Sequence, residues 1–336
     1  MEVVASGLQV PWSLTFAPDG RLFFTERTGA VRVIQNGQLL PEPWAVLPAA
    51  RLGEGGLLGL ALDPQFATNG FVYLYYTYRD SQGEAWNRLS RLVERDGKGT
   101  EETVLLDRIP ASGIHNGGRV KFGPDGKLYV TTGDAADRSL AQSLDSLAGK
   151  ILRLNPDGSI PLDNPFPGSP VYSYGHRNPQ GLAWHPVTGK LYATEHGPSA
   201  HDEVNILEPG NNYGWPNLSG QGGAPQFRDP IIESGGSTWA PSGATFYTGG
   251  RLLPDWQGSL FYAALRGSHL HRLALGGPDF SQVQESEELF DGEFGRLRDV
   301  VQGPDGLLYF STSNRDGRGS PQSADDRILR IVPDTP

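Results

Sequence analysis

Three groups of residues in this chain have types and spacings that could do chemistry. The first is His115-Asn116-Gly117-Gly118, where an imidazole precedes two glycines that let backbone or ligand approach closely. An imidazole is suited to removing a hydroxyl proton near neutral pH, and Asp134, following Thr131-Thr132-Gly133, could orient the ring. From spacing alone, a hydrogen-bonded loop histidine without a catalytic task is the plainer alternative. The second group is Arg177, Arg266, Arg296 and Arg298. A guanidinium grips a carboxylate with two parallel hydrogen bonds, so several in one pocket imply a ligand with several negative charges. Arg296 and Arg298 are two apart, which on a strand puts both on one face; salt bridges to Asp299, Glu293 and other acids are the competing explanation. The third group is oxygen-rich: Glu195-His196-Gly197-Pro198, then Asp202-Glu203, then Asn211-Asn212-Tyr213-Gly214-Trp215-Pro216. Such loops can offer carboxylates and backbone carbonyls to calcium, although no spacing matches an EF-hand or a zinc motif. His185, His201, His269 and His271 fall in outer turns or strands and read as structural.

The elements that must position these groups recur. Six passages share a pattern of polar loop, strand, tight turn and strand. They begin near Trp12, Leu58, Gly118, Gly181, Gly243 and Leu297. The turns use Pro124-Asp125-Gly126, Pro304-Asp305-Gly306 and similar pieces, in which proline presets the first turn residue and glycine accepts positive φ. A third strand follows in each unit. A fourth is expected at Trp44–Leu47, Thr103–Leu106, Val171–Ser173, Pro230–Glu233 and Ser286–Leu289. The sixth unit lacks its own fourth strand, and Glu2–Ser6 is free to supply it. Helical pieces are brief, such as Ser139–Leu147. Units start roughly 45–65 residues apart, longer than compact propeller repeats because of inserts such as Ala135–Ala148 and Pro209–Thr238.

Repeated four-stranded sheets without helical crossovers predict an all-β fold, a six-bladed β-propeller of antiparallel blades whose last blade is closed by the N-terminal strand. It forms a single domain over residues 1–336. The loop before each first strand then opens towards the axis. Arg51 and Glu54, His115 and Asn116, His176 to Asn178, Trp239 and Ser242, and Arg296 with Arg298 converge there, together with Asp134, Glu195, His196 and Arg266 from the ends of second strands.

Composition agrees. Gly 45 and Pro 27 make up over a fifth of the 336 residues, as a turn-rich chain requires, and aromatics at 10% argue against disorder. Net charge is −10 without a basic tract, which disfavours nucleic acid as a partner. The chain has no cysteine, which excludes disulfides and thiolate chemistry. No run is long enough to span a membrane as a helix, and Met1-Glu2-Val3-Val4-Ala5-Ser6 shows no basic-then-apolar leader pattern.

Across nearly its whole length the sequence resembles the soluble glucose and aldose sugar dehydrogenases that use pyrroloquinoline quinone (PQQ), particularly the bacterial aldose sugar dehydrogenase branch. The resemblance rests on Glu54-Gly55-Gly56-Leu57-Leu58-Gly59, His115 to Gly118, Gly175 to Gly181, Glu195 to Pro198 with Asp202-Glu203, Asn212 to Pro216, and Arg296-Leu297-Arg298-Asp299. It implies a PQQ- and calcium-dependent oxidation of aldose sugars at C1 to aldonolactones. By resemblance, His115 is the base for the sugar hydroxyl, with hydride passing to C5 of PQQ. Arg177 polarises the quinone, Asp134 holds His115, and Glu54 lines the sugar side. Asn178, Arg266, Arg296 and Arg298 bind the cofactor, the carbonyls of Gly197 and Pro198 complete its calcium shell, and Glu203 with the carbonyl of Tyr213 holds a structural calcium. It further implies an aldose mono- or oligosaccharide substrate, an external electron acceptor (a quinone, dye or small redox protein) and a periplasmic or secreted location.

Two positions depart from the glucose-oxidising members, which resemble a glutamine and a lysine where this chain has Glu54 and Arg266. The chain is also shorter, which implies trimmed loops and broad aldose acceptance. A calcium-dependent propeller lactonase would explain the oxygen-rich loops but not the arginines. A non-enzymatic binding propeller would explain the fold alone.

Overall fold

The computed structural model describes residues 1–333. Six sheets follow one another along the chain. Blade 1 uses Pro11–Phe16, Leu22–Glu26 and Ala30–Gln35; blade 2 uses Leu57–Leu62, Phe71–Arg79, Ala85–Arg95 and Lys98–Pro110. Blade 3 uses Val120–Phe122, Leu128–Thr132, Lys150–Leu154 and Val171–Tyr174; blade 4 uses Pro179–Trp184, Leu191–Glu195, Glu203–Leu207 and Ile232–Glu233. Blade 5 uses Pro241–Phe246, Leu260–Ala264, Leu270–Gly276 and Gln282–Leu289. Blade 6 joins Leu297–Gln302, Leu308–Thr312 and Ile328–Arg330 to Glu2–Ala5, the expected closure, with Glu2 opposite Arg330 and Ala5 opposite Ile328.

Burial follows position in the blade. The second strands, such as Leu128–Thr132 and Leu308–Thr312, are buried throughout because neighbouring blades cover both faces. The outer strand Gln282–Leu289 is mostly exposed and accordingly carries glutamates. The Pro-Asp-Gly turns do more than reverse the chain. Asp125 accepts from the backbone of Lys127, from Tyr129 Oη and from Arg153. Asp305 repeats the set with Leu307, Tyr309 and Arg330. The same three-strand lock thus recurs in blades 3 and 6.

Local details differ from the sequence expectation at several edges. The fourth strand of blade 1 is two short pieces, Gln38–Leu39 and Ala45–Val46, both paired with Ala30–Gln35. Asn36-Gly37, both at positive φ, turns the chain back at once, and Pro41 and Pro43, without N–H groups, interrupt the edge. The expected Thr103–Leu106 strand extends over Lys98–Pro110, because the Asp96-Gly97 turn makes a long hairpin with Ala85–Arg95. The helical piece expected at Ser139–Leu147 is a short 3₁₀ turn, Arg138–Gln142, capped by Asp137. Phe66–Asn69 forms a single α-helical turn that sequence periodicity did not signal.

The axis is filled below the site. Arg119, fully buried, lies 4.4 Å from the Trp12 ring centre and bonds Asp299 Oδ2 at 2.9 Å, Ser13 Oγ at 3.1 Å and the Gln180 carbonyl at 2.8 Å. The same Asp299 oxygen accepts from the Leu14 N–H at 2.8 Å. This plug ties blades 1, 3, 4 and 6 and gives the upper cavity its floor.

Candidate active site

Above that floor lies a cavity of about 470 Å³. Of the residues singled out in the sequence, Glu54, His115, Arg177, Gly197, Pro198, Arg266, Arg296 and Arg298 line it.

His115 takes a positive φ of 58° in the turn before the two glycines. Its carbonyl accepts from Ala135 N, and its own N–H donates to Glu54 Oε2 at 3.1 Å. Gly117 could not be replaced cheaply, since a Cβ there would fall 2.6 Å from the Thr131 carbonyl oxygen. His115 Nδ1 lies 2.7 Å from Asp134 Oδ1. Asp134 is buried and already accepts from Ala136 N and Trp215 Nε1, both at 2.9 Å. A carboxylate so placed selects the tautomer with hydrogen on Nδ1, leaving the Nε2 lone pair free. That is the arrangement of a general base.

The Arg177 loop is braced from beneath. His176 is fully buried, stacks on Tyr213 at 4.8 Å and bonds Glu195 Oε2 at 2.8 Å. Glu195 Oε1 also accepts the Arg177 N–H. Arg177 itself lies 5.3 Å from the Trp215 ring centre and donates from Nη1 to the His196 carbonyl, while its Nε is buried without a partner. Burial lowers its pKa against the pull of Asp134 and Glu195.

Opposite stand the blade 6 arginines. Arg296 donates from Nε to Asp316 Oδ2 at 2.9 Å; Arg298 reaches the same oxygen at 3.3 Å and donates to Gln180 Oε1 at 2.9 Å. Burial lowers the Arg298 guanidinium to about 9, with Asp316 opposing and Arg296 and Arg27 adding to the effect. It stays protonated at neutral pH. Arg266 is exposed at the rim and makes no side-chain ion pair or hydrogen bond among the described residues. Of the acids expected to neutralise this group, Asp299 pairs with Arg119 instead, and it is another acid, Asp316, that Arg296 and Arg298 share.

Several lining residues escaped the sequence reading. Arg27, Trp12, Gln180, Asp316 and Arg318 all line the cavity. Arg27 directly follows a second strand, as His196 does in blade 4, and that equivalence was the available signal. Arg318 pairs across the mouth with Glu54 Oε1 at 2.8 Å. By contrast, Arg51 and Trp239 do not line the cavity. Asn178 also lies behind the wall, accepting from Gly117 N at 3.0 Å and approaching His196 Nδ1 at 3.4 Å.

Two places have the donors of a hard cation. The carbonyls of Gly197 and Pro198 have no hydrogen-bond partner among the described residues. Their loop is pinned by Asp202, which accepts from Gly197, Trp239 and Ala240 N–H groups. The neighbouring His196 is half-buried, its Nε2 enclosed without a partner among the described residues, and burial followed by the charge of Arg298 and Arg177 holds its pKa well below the usual value. Deeper in blade 4, Glu203 accepts from Asn205 Nδ2 and Gly220 N but has no cationic partner among the described residues. Burial, with Glu195 nearby, pushes its pKa up to about 8. Asn205 Oδ1 is buried without a partner in the same strand, and the Tyr213 carbonyl is likewise unpaired.

The comparisons with known proteins agree with this geometry. The chain is 36% identical to the aldose sugar dehydrogenase YliI of Escherichia coli (strain K12), over 94% of this chain and 91% of that protein. It is 29% identical to the quinoprotein glucose dehydrogenase B of Acinetobacter calcoaceticus, over 98% and 88% respectively. The solved PQQ-bound aldose sugar dehydrogenase of Streptomyces coelicolor superposes with a TM-score of 0.89 at 39% identity, covering 98% of this chain and 96% of that one. The model of the Glucose / Sorbosone dehydrogenase family matches residues 8–329, and the chain belongs to that family of oxidoreductases.

Proposed function

We propose that the protein oxidises aldose sugars at C1 to aldonolactones, with PQQ as hydride acceptor, calcium beside it and an external carrier removing the electrons. One observation carries this reading: a surplus of guanidinium charge faces an imidazole whose proton-accepting nitrogen is free. Arg27, Arg177, Arg266, Arg296 and Arg298 line the cavity. The lining acids are too few to match them: Asp316 is shared by Arg296 and Arg298, Asp202 accepts from three backbone N–H groups, and Glu54 pairs with a further arginine, Arg318. A flat tricarboxylate fits such a donor set, and the unpaired carbonyls of Gly197 and Pro198 fit its calcium.

When bound, PQQ supplies the electrophilic quinone carbon that receives the sugar's hydride. His115 takes the C1 hydroxyl proton at Nε2, so that the electron pair of the C1–H bond can leave as hydride while the C1=O bond forms. Asp134 keeps Nδ1 protonated and stabilises the imidazolium that results. Arg177 places positive charge where negative charge develops, in a site shielded from water. Arg266, Arg296 and Arg298 hold carboxylates. Glu203 and the Tyr213 carbonyl hold a second calcium away from the reacting atoms. A shallow depression lined by Ile114, His115, Asp134, Arg177 and Trp215 adjoins the cavity and is where the sugar arrives, its apolar face against the indole. With few walls there, discrimination among aldoses is weak. A periplasmic or secreted location is proposed on the family resemblance.

Titrating the protein with PQQ and calcium, then adding glucose and a redox dye, tests the reading. Saturable binding with sugar-dependent bleaching is expected; absence of quinone binding overturns it.

A further inference from the structure

Blade 5 holds a second histidine cluster that the chemistry above does not use. His269, immediately before the strand Leu270–Gly276, and His271 within it are two residues apart and share a face; both are buried. Glu288 sits opposite His271 in the neighbouring strand. One ligand atom from each of the three lies within 4.8 Å of the others. His269 Nδ1 is 3.1 Å from the Gly267 carbonyl, which only accepts, so the ring proton sits on Nδ1 and Nε2 presents a lone pair. That lone pair faces His271 Nδ1 at 3.0 Å. The far nitrogen, His271 Nε2, is 2.8 Å from Ser286 Oγ. Tyr262 fixes the second ring by stacking on it at 4.6 Å and 8°, and its own hydroxyl is buried without a partner. Along this chain each ring carries one hydrogen, and burial favours that neutral form. The nearest arginine on this strand, Arg272, is bound by Glu285 and Glu287.

We propose that His269, His271 and Glu288 form a binding site for a transition-metal dication of the zinc type. Two neutral imidazoles and one carboxylate are the donor set of an open three-ligand centre. Metal–nitrogen bonds of about 2.0–2.1 Å place two tetrahedral ligands roughly 3.3 Å apart, a few tenths of an ångström wider than the present separation. The Gly267 carbonyl and Ser286 hydroxyl supply the outer hydrogen bonds that orient ligating imidazoles. On binding, the hydrogen between the facing nitrogens moves to His271 Nε2, where Ser286 accepts it, so His271 changes tautomer and neither ring changes charge. The Glu288 side chain is 48% exposed, with Oε2 3.8 Å from His269 Nδ1, so on ligation it turns from that nitrogen towards Nε2 and leaves the open position to water, making the ion exchangeable. The site lies at the base of the turn carrying Arg266, since Ala264 N bonds the His269 carbonyl at 2.9 Å. A bound ion would staple that turn to the outer strand.

The alternative is a metal-free chain of hydrogen bonds from Gly267 through both rings to Ser286, and experiment separates the two. Zn²⁺ is titrated by calorimetry into the full chain held in saturating calcium, Co²⁺ is followed by its visible d–d absorption, and ligation is read by X-ray absorption. Expected are one equivalent of Zn²⁺ bound at micromolar or tighter affinity, nitrogen ligation, and at least a tenfold loss in E288Q, whose exposed position spares the fold. H271N should abolish the cobalt spectrum. No binding, oxygen-only ligation, or an E288Q variant that binds as tightly as the parent each overturns the proposal.

Discussion

Arg119 and Arg298 both border the ring of Trp12, yet they are matched to acids in different ways. Arg119, in the plug, has its own carboxylate, Asp299, and also donates to the Ser13 hydroxyl and the Gln180 carbonyl, with only Nη2 left unpartnered among the described residues. Arg298, in the cavity wall, shares Asp316 with Arg296 and stands near Arg27. A buried charge with a private partner belongs to the fold. Buried charges that outnumber their partners are held ready for a ligand, because leaving them unpaired costs stability that a bound anion restores. The difference lets structural and functional arginines be told apart without reference to their surroundings in any other protein.

The comparison can be sharpened first at the imidazole that faces the surplus charge. His115→Gln should lower kcat by about 10²–10⁴-fold while leaving PQQ affinity unchanged, as measured by dye reduction and quinone titration; equal loss of binding would make His115 part of the anion cradle instead. The next effect is on the plug. Arg119→Ala strands Asp299 and should cost about 3–5 kcal/mol in urea unfolding, whereas Arg298→Ala should leave the stability of the cofactor-free protein nearly unchanged. The latter should instead weaken PQQ binding by about 1.5–3 kcal/mol, the worth of a hydrogen bond to a charged group. If both variants lose stability equally, the distinction fails.

A third prediction uses pH. Glu203 has its folded-state pKa raised to about 8, so the folded protein binds this proton more tightly than the unfolded chain does. The stability it contributes is full below the ordinary carboxylate range and is lost as pH rises through 8. Metal-free protein should therefore melt at progressively lower temperature from pH 5 to 8. Calcium, which needs the ionised carboxylate, should bind more tightly over the same interval and offset the loss. Melting curves with and without calcium check both signs. The smallest effect belongs to the rim: Arg318→Ala breaks an ion pair whose arginine is 61% exposed, so kcat/KM for glucose should change by no more than about 1 kcal/mol, roughly fivefold.

The blades were legible because their signals are local. A Pro-Asp-Gly turn, an alternating strand and the recurrence of both need only neighbouring residues to act. The positions of His115, Arg177, Arg296 and Arg298 were legible for a related reason, since the first three sit in the loop before a first strand and Arg298 at the start of one, and the ring brings these ends together. What stayed hidden depends on contacts distant in the chain. Leu14 and Asp299 meet across 285 positions, so nothing beside Asp299 indicates that it is spent on the plug and not on Arg298. Asp316 and Arg318 lie between the second and third strands of blade 6, a segment whose length varies from blade to blade, so neither the shared counter-ion nor the partner of Glu54 was readable. Edge strands were misjudged where prolines or glycine turns, as at Asn36-Gly37, outweighed strand-forming side chains.

The seam of the ring has a consequence for assembly. The sixth sheet is held shut by Glu2–Ala5 against Ile328–Arg330, helped by Leu8 N to the Asp326 carbonyl at 2.9 Å. Arg27 stands on one flank of that seam and Arg296 and Arg298 on the other, and Arg27 Nη2 already touches the Asp316 carbonyl across it at 3.1 Å. Any anion gripping both flanks closes the circle from inside, so occupancy and circularisation are thermodynamically linked. A nascent polypeptide cannot acquire the complete anion cradle until its final sheet is synthesised.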